Sequence, residues 1–222
     1  VIVDSLDPIT LIGGANISED DLSRVLSIAP KLIAADGGAN FVVNKGLNPL
    51  AVIGDFDSIS EITKANLPDS RLFPMAEQDS TDFEKCLCNI AAPLLLAVGF
   101  SGDRQDHQLA AYNALVRFPQ HRCVLVGLSE VVFLCPPSIS LDLPADCRIS
   151  LFPMGAVEGM SDGLQWPING LNFAPDGRIG TSNRTTGAVQ LDVTAPKMLV
   201  ILPHHTLKTV AQALQEVTAQ WD

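Results

Sequence analysis

The chain has 222 residues, 47% hydrophobic and 18% charged, enough apolar mass for one large or two small domains and too much for a disordered chain. Fourteen basic residues against 25 acidic ones give a net charge of −11, which excludes a nucleic-acid surface and leaves any phosphate binding to local groups and a metal ion. The five cysteines, Cys86, Cys88, Cys123, Cys135 and Cys147, are odd in number and lack CxxC spacing, so neither a disulfide framework nor a structural zinc site is expected.

From Ile9 to about Gly127, short apolar runs alternate with helical patterns. The run Ile9–Ile12 ends in Gly13-Gly14-Ala15-Asn16 and is followed by a helix over Ser18–Ala29, with Ser18 as cap and Glu19, Asp20 and Asp21 in its first turn. Lys31–Ala35 leads into Asp36-Gly37-Gly38-Ala39-Asn40, and Leu50–Ile53 into Gly54-Asp55-Phe56-Asp57-Ser58. After Arg71–Met75, Thr81 and Glu84 have the spacing of a capping box, which makes Asp82 the first helical residue and puts Lys85 one turn on. Leu94–Val98 runs into the loop Gly99–His107, a helix follows over His107–Phe118, and Arg122–Val126 closes the series. This is the signature of βαβ units, and it predicts an α/β domain over residues 1–128 with a six-stranded, mainly parallel, Rossmann-like sheet.

Beyond Gly127 the runs Val131–Cys135, Ile139–Leu143, Cys147–Pro153, Leu164–Ile168, Ala188–Val193 and Met198–Leu202 are separated by proline, glycine and asparagine. They predict a small all-β sandwich domain over residues 129–222. The last stretch returns to helical spacing through Leu207, Val210, Leu214 and Val217, a helical tail expected to pack back on a domain or a partner. The longest strongly apolar stretch, around Ile90–Phe100, is too short to span a bilayer and is interrupted by Pro93, and the N-terminus has no basic, apolar leader pattern. A cytoplasmic protein is expected, with no membrane and no nucleic-acid partner.

The polar and glycine-rich residues collect at the carboxyl ends of the strand runs, where open parallel sheets bind ligands. On an extended backbone Asp55 and Asp57 would project to one side, with Phe56 opposite, and the paired carboxylates suit Mg²⁺ shared with substrate phosphates. Asp82 offers a third carboxylate, and Lys85 faces the same way. Taken singly, Asp55 and Asp57 also read as loop caps, and Asp79 and Asp82 as residues that favour a helix start. Glycines such as Gly14 let backbone N–H groups approach phosphate. Asp36 could accept from a ribose, polarise a reacting hydroxyl or cap a helix. Arg104 could grip phosphate through two parallel bonds, while Asp106 and His107 could orient groups or cap the helix that follows.

The ordered set Ala35-Asp-Gly-Gly-Ala-Asn40, Gly54-Asp-Phe-Asp-Ser58, Gln78-Asp-Ser-Thr-Asp-Phe-Glu-Lys85, the Gly99–His107 loop, Gly163-Leu-Gln-Trp166 and Thr181-Ser-Asn183 resembles the thiamine pyrophosphokinase family over nearly the whole chain. The resemblance implies an α/β nucleotide-binding domain, a C-terminal β domain and a homodimer with sites formed between subunits. It also implies transfer of diphosphate from ATP to the hydroxyethyl group of thiamine, with release of AMP. On that basis Asp55, Asp57 and Asp82 are expected to ligate Mg²⁺, and with Asp36 and Lys85 to form the catalytic set. Gly14, Asp36, Gly37, Gly38, Asn40, Asp79, Gly102, Arg104, Asp106 and His107 are expected at the ATP. Gln78, Trp166, Ser182 and Asn183 are expected at the thiamine, whose cationic thiazolium suits an indole; core packing is the other reading of Trp166.

Two departures stand out, Asp103 where many family members have a glycine and the helical tail beyond His205. The weighed alternatives are a pyrophosphokinase acting on another heteroaromatic alcohol such as a hydroxymethylpterin, a nonenzymatic nucleotide or thiamine sensor, and an Asp-x-Asp phosphatase. The last usually carries its pair after the first strand, whereas here it follows the third.

Overall fold

In the computed structural model, which describes residues 1–102 and 104–221, each apolar run of the first half forms a strand. The elements in chain order are β1 (Val3–Asp4), β2 (Ile9–Ile12), α1 (Glu19–Ile28), β3 (Lys31–Ala35), α2 (Gly38–Asn44), β4 (Val52–Gly54) and α3 (Glu61–Ala65). There follow β5 (Leu72–Pro74), α4 (Asp82–Asn89), β6 (Ile90–Ala91), β7 (Leu95–Val98), α5 (Gln105–Arg117) and β8 (Cys123–Val126). Contacts divide the chain into two compact units, residues 1–114 with 125–128, and residues 115–124 with 129 onward. Asp103 lies outside the described residues.

In the first unit the strand order is β5-β4-β3-β2-β7, with β8 beside β7, and the β2–β3, β2–β7, β3–β4 and β4–β5 pairs are parallel. β2, β7 and β8 are buried along their whole length, as strands covered on both faces must be, which is why they read as continuous apolar runs. Ile9, Leu11, Ile33, Ile53 and Leu95 are among the fully buried side chains, each contributing about 1.5–3 kcal/mol relative to exposure. The chain builds outward from β2 to β5, then returns to β7 on the other side of β2, so the winding reverses between β2 and β7. In sheets of this type the crevice at such a reversal is where ligands bind. β1 and β6 form a separate two-stranded parallel pair that the apolar pattern did not announce.

The second unit contains β9 (Glu130–Leu134), β10 (Ser138–Leu141), β11 (Arg148–Pro153), β12 (Val157–Leu164), β13 (Asn172–Phe173), β14 (Gly180–Val193), β15 (Met198–Pro203) and α6 (Leu207–Glu216). All its pairings are antiparallel. Two details differ from the sequence expectation. Of the run Leu164–Ile168 only Leu164 is in a strand, as the last residue of β12, and the rest is irregular chain after it, since β12 occupies the glycine-containing stretch before. The expected sandwich of separate sheets is instead one connected ladder, β13-β12-β14-β11-β15-β9, with β10 also on β14. Its cause is the 14-residue β14, whose first half pairs with β11 and whose second half pairs with β10 and β12. Gly187, with φ 153°, falls in the middle of this strand, where β12 shifts register between its pairs with Thr185 and Gln190.

α6 buries Leu207, Val210, Ala211 and Leu214 on one face, the period expected of the tail. The residues after it are fastened to the same unit, because the Trp221 indole donates to Cys135 O at 2.9 Å and Arg122 donates to Val217 O at 2.6 Å. No helix among the described residues is long and apolar enough to cross a membrane.

Candidate active site

The parallel pairing of β3 with β4 brings the residues after each strand together. Asp36, Asp55 and Asp57 each present a carboxylate oxygen, and the three oxygens lie within 4.8 Å of one another. Gly54 permits this approach, since a Cβ there would sit 2.6 Å from Asp36 Cβ. The two acids of the Asp-Phe-Asp segment do not converge through extended backbone. Phe56 has φ 67°, in the left-handed region, so a tight turn gathers the carboxylates, and the Asp57 N–H donates to Asp55 Oδ1 at 3.2 Å.

Ser58 completes the turn, giving its hydroxyl to Asp57 Oδ1 at 2.7 Å and its N–H to Asp36 Oδ2 at 3.2 Å. Asp36 is 3% exposed and its Oδ1 is buried without a hydrogen-bond partner. Three gathered carboxylates with a buried, unpartnered oxygen among them fit a hard divalent cation, which takes oxygen ligands and offsets their repulsion.

The capping box forms as expected and fixes the second segment: Thr81 N–H donates to Glu84 at 3.0 Å, and Glu84 N–H to the Thr81 hydroxyl at 3.3 Å. One turn on, the 3%-exposed Lys85 places its ammonium 3.3 Å from Asp82 and 3.6 Å from Asp55. Burial by itself would pull the Lys85 ammonium down, but Asp82, Asp55 and Glu77 outweigh it and hold its pKa above the ordinary value. The Asp55 carboxyl is held low, chiefly by the Gln78 amide donating to it at 2.9 Å, with help from the Asp57 N–H and Lys85. Asp82 moves the other way: burial raises it, the charges of Asp36 and Asp55 add to the rise, and Lys85 opposes it. Asp82 therefore senses the cluster electrostatically but is not one of the three residues whose oxygens converge.

Several other expected residues are placed by their partners. Asp79 gives its N–H to the Glu77 carboxylate at 3.0 Å, and Ser80 gives Glu77 both its N–H and its hydroxyl, so Glu77 shapes the loop that carries Gln78 and Asp79. Arg104 and Asp106 are exposed and joined by two hydrogen bonds of 3.2 and 2.6 Å, which hold the Asp106 carboxyl below its usual range. Any phosphate gripped by Arg104 has to compete with Asp106. His107 lies in the exposed first turn of α5, and the Phe100 ring packs on Phe83 of α4 at 4.6 Å, tying the start of the Gly99–His107 loop to the helix bearing Lys85.

Gly102 is exposed, while Gly13 and Gly99 pack at the winding reversal so closely that a Cβ on Gly13 would meet Gly99 O at 2.4 Å. Gly14 and Gly38 are neighbours there, Gly37 lies against Ser58, and Asn40 on α2 bonds the segment after Asp57. Ser58 and Glu77 are the residues that reasoning from sequence did not select. The signal for Glu77 was local, a carboxylate within three residues of the Asp79 and Ser80 N–H groups, whereas Ser58 meets Asp36 across 22 positions of chain.

In the second unit Trp166 is 55% exposed, so core packing does not explain it. The Asn183 amide clamps its backbone from both sides, accepting from Trp166 N at 3.2 Å and donating to Trp166 O at 2.7 Å. Ser182, with φ 61°, gives its N–H to Ser150 Oγ at 3.0 Å. Asn183 is thus a brace for the indole as well as a candidate contact.

A doubly wound α/β unit with a carboxylate cluster and a buried lysine at its strand ends defines a class of acidic, ion-ready sites suited to phosphate chemistry. Residues 22–126 match the family model described as thiamin pyrophosphokinase, catalytic domain. A rice protein, thiamine pyrophosphokinase 1 of Oryza sativa subsp. japonica, is 30% identical over 190 residues, covering 77% of this chain and 69% of the relative. Thiamine pyrophosphokinase 3 of the same plant is 28% identical over 201 residues, covering 72% and 75%. The chain belongs to the thiamine pyrophosphokinase family. Its fold is shared with solved structures of thiamin pyrophosphokinase from Candida albicans (TM-score 0.76, 15% identity, 90% of this chain and 92% of that one) and from yeast (TM-score 0.73, 17% identity, 96% and 89%).

Proposed function

We propose that this chain is a thiamine diphosphokinase, which transfers a diphosphate group from ATP to the hydroxyethyl group of thiamine and releases thiamine diphosphate and AMP. The observation that carries the reading is the convergence of Asp36, Asp55 and Asp57 around the unpartnered Asp36 Oδ1, with Lys85 against Asp55, in a member of this family. The thiamine hydroxyl oxygen attacks the β-phosphorus, the bond to the α-phosphate oxygen breaks, and charge grows on the transferred oxygens. When bound, Mg²⁺ supplies countercharge to the phosphates. Asp55, Asp57 and Asp82 are its proposed ligands, and Asp36 Oδ1 is a further oxygen donor.

Lys85, kept cationic by its acidic neighbours, stabilises charge on the transferred group, and Asp82 or Asp36 takes the hydroxyl proton. Gly14, Gly37, Gly38 and Gly102 let the chain approach the triphosphate, and Asp79, Arg104, Asp106 and His107 border it. Trp166 offers an indole face to the thiazolium, worth about 0.5–2 kcal/mol, with Gln78, Ser182 and Asn183 completing the thiamine side. Residues 1–128 form the catalytic domain and residues 129–222 the thiamine-binding β domain. The working form is a cytoplasmic homodimer.

Mass analysis of the products tests the diphosphate step. Incubation with ATP, Mg²⁺ and thiamine is expected to yield AMP and thiamine diphosphate in equal amounts. ADP with thiamine monophosphate would overturn it.

A further inference from the structure

Asn40 sits on α2 with both ends of its side-chain amide in use. Its Nδ2 donates to Ser58 O at 2.8 Å, and its Oδ1 accepts from Ser60 N–H at 3.0 Å and from the Thr63 hydroxyl at 2.7 Å. A carboxamide oxygen has two lone pairs, so this acceptor is saturated and only one N–H remains for any further partner. All three contacts fall on the segment that begins one residue after Asp57. Two of them lock its far end: Ser60 caps α3, and Thr63 is buried within that helix.

The third contact acts on the cluster. Asn40 holds the Ser58 carbonyl, while the Ser58 hydroxyl holds Asp57 Oδ1 and the Ser58 N–H holds Asp36 Oδ2. Occupying Oδ2 determines which Asp36 oxygen is left without a partner, and that oxygen is Oδ1. A continuous hydrogen-bonded path therefore runs from Asn40 through Ser58 to two of the three carboxylates.

We propose that Asn40 is a positioning residue for the divalent-ion site, acting through Ser58 on Asp36 and Asp57, rather than a residue that binds nucleotide. The proposal rests on the ion-dependent reading above. It predicts that removing the Asn40 amide loosens the carboxylate set and weakens ion binding while leaving nucleotide affinity in place.

The test uses Mn²⁺ as the probe, titrated into the full chain without nucleotide and followed by electron paramagnetic resonance, together with calorimetric titration of AMP in the presence of a chelator. N40A is expected to weaken Mn²⁺ binding about tenfold or more, the scale on which groups that orient ion ligands act, and to leave AMP affinity within about twofold. T63V keeps the shape of the buried threonine but removes one tether, so it is expected to shift Mn²⁺ affinity in the same direction by less. If melting shows N40A to be unfolded, T63V decides.

Wild-type Mn²⁺ affinity in the folded variants would overturn the proposal, as would loss of AMP binding by N40A with Mn²⁺ affinity intact, which would make Asn40 a nucleotide contact. A wild-type chain that binds no Mn²⁺, or binds it equally well as D57N, would instead remove the ion site itself and this proposal with it.

Discussion

The two regions that carry the candidate chemistry are incomplete in opposite ways. In the α/β unit, carboxylates gather in excess of countercharge: three converge, the buried Asp36 keeps one oxygen without a partner, and Lys85 lies against Asp55. In the β unit an apolar surface is exposed in excess: the Trp166 indole stands in solvent on a turn that Asn183 holds rigid. Each region is braced by an asparagine that bonds backbone, Asn40 in one and Asn183 in the other. The difference is in what each lacks, which is countercharge in the first and an apolar or cationic partner in the second. Stability alone favours neither arrangement, since a buried polar atom without a partner and an exposed large apolar side chain both cost free energy.

The comparison breaks most sharply at the carboxylates. D55N and D57N are each expected to lower AMP release by at least about a hundredfold, on the scale of removing one group that stabilises transition-state charge. D57N, which relieves like-charge crowding, should melt no lower than wild type when no ion is added. A large drop in its melting temperature would mean that Asp57 holds the fold rather than the ion. At the indole the expected effect is smaller. W166A should raise the thiamine KM by about 2- to 30-fold, the equivalent of about 0.5–2 kcal/mol, with the ATP KM unchanged. A shifted ATP KM with an unchanged thiamine KM would remove Trp166 from the thiamine side.

Two structural tests follow. T81A should cost about 1 kcal/mol of stability in urea unfolding by opening the capping box at the start of α4. The smallest expected effect is that of Asp55 on acid stability. Its folded pKa is depressed, chiefly by Gln78, so its contribution is present above the unfolded value of 3.8 and is lost as pH falls through the folded value. D55N should therefore lose less stability than wild type on acidification below about pH 4, seen as a smaller shift of the unfolding midpoint. An identical shift in both would mean that the Gln78 contact is not maintained in solution.

Much of the first unit was legible because β2, β7 and β8 are buried along their whole length and α1 and α4 start with side-chain caps. The Thr81–Glu84 box and the Asp82–Lys85 pairing follow from spacing within one turn. What spacing could not show is how loops meet. Asp36 joins Asp55 and Asp57 only because β3 pairs with β4, and Gln78 reaches Asp55 across 23 positions of chain. The Asp-Phe-Asp segment looked extended, but Phe56 adopts a left-handed conformation that short-range patterns do not reveal in a phenylalanine. In the second unit β12 was hidden because Gly159 and Gly163 interrupt its alternation, and the length of β14 was hidden by the glycine and polar residues of its first half. The exposure of Trp166 was likewise not readable from a hydrophobic residue type.

Diphosphate transfer to thiamine is tested by AMP release from Mg²⁺ and ATP with and without thiamine. AMP is expected only when thiamine is present, with thiamine diphosphate appearing in step with it, and neither product is expected with D57N. Release of inorganic phosphate without thiamine, or AMP release that thiamine does not change, would contradict it.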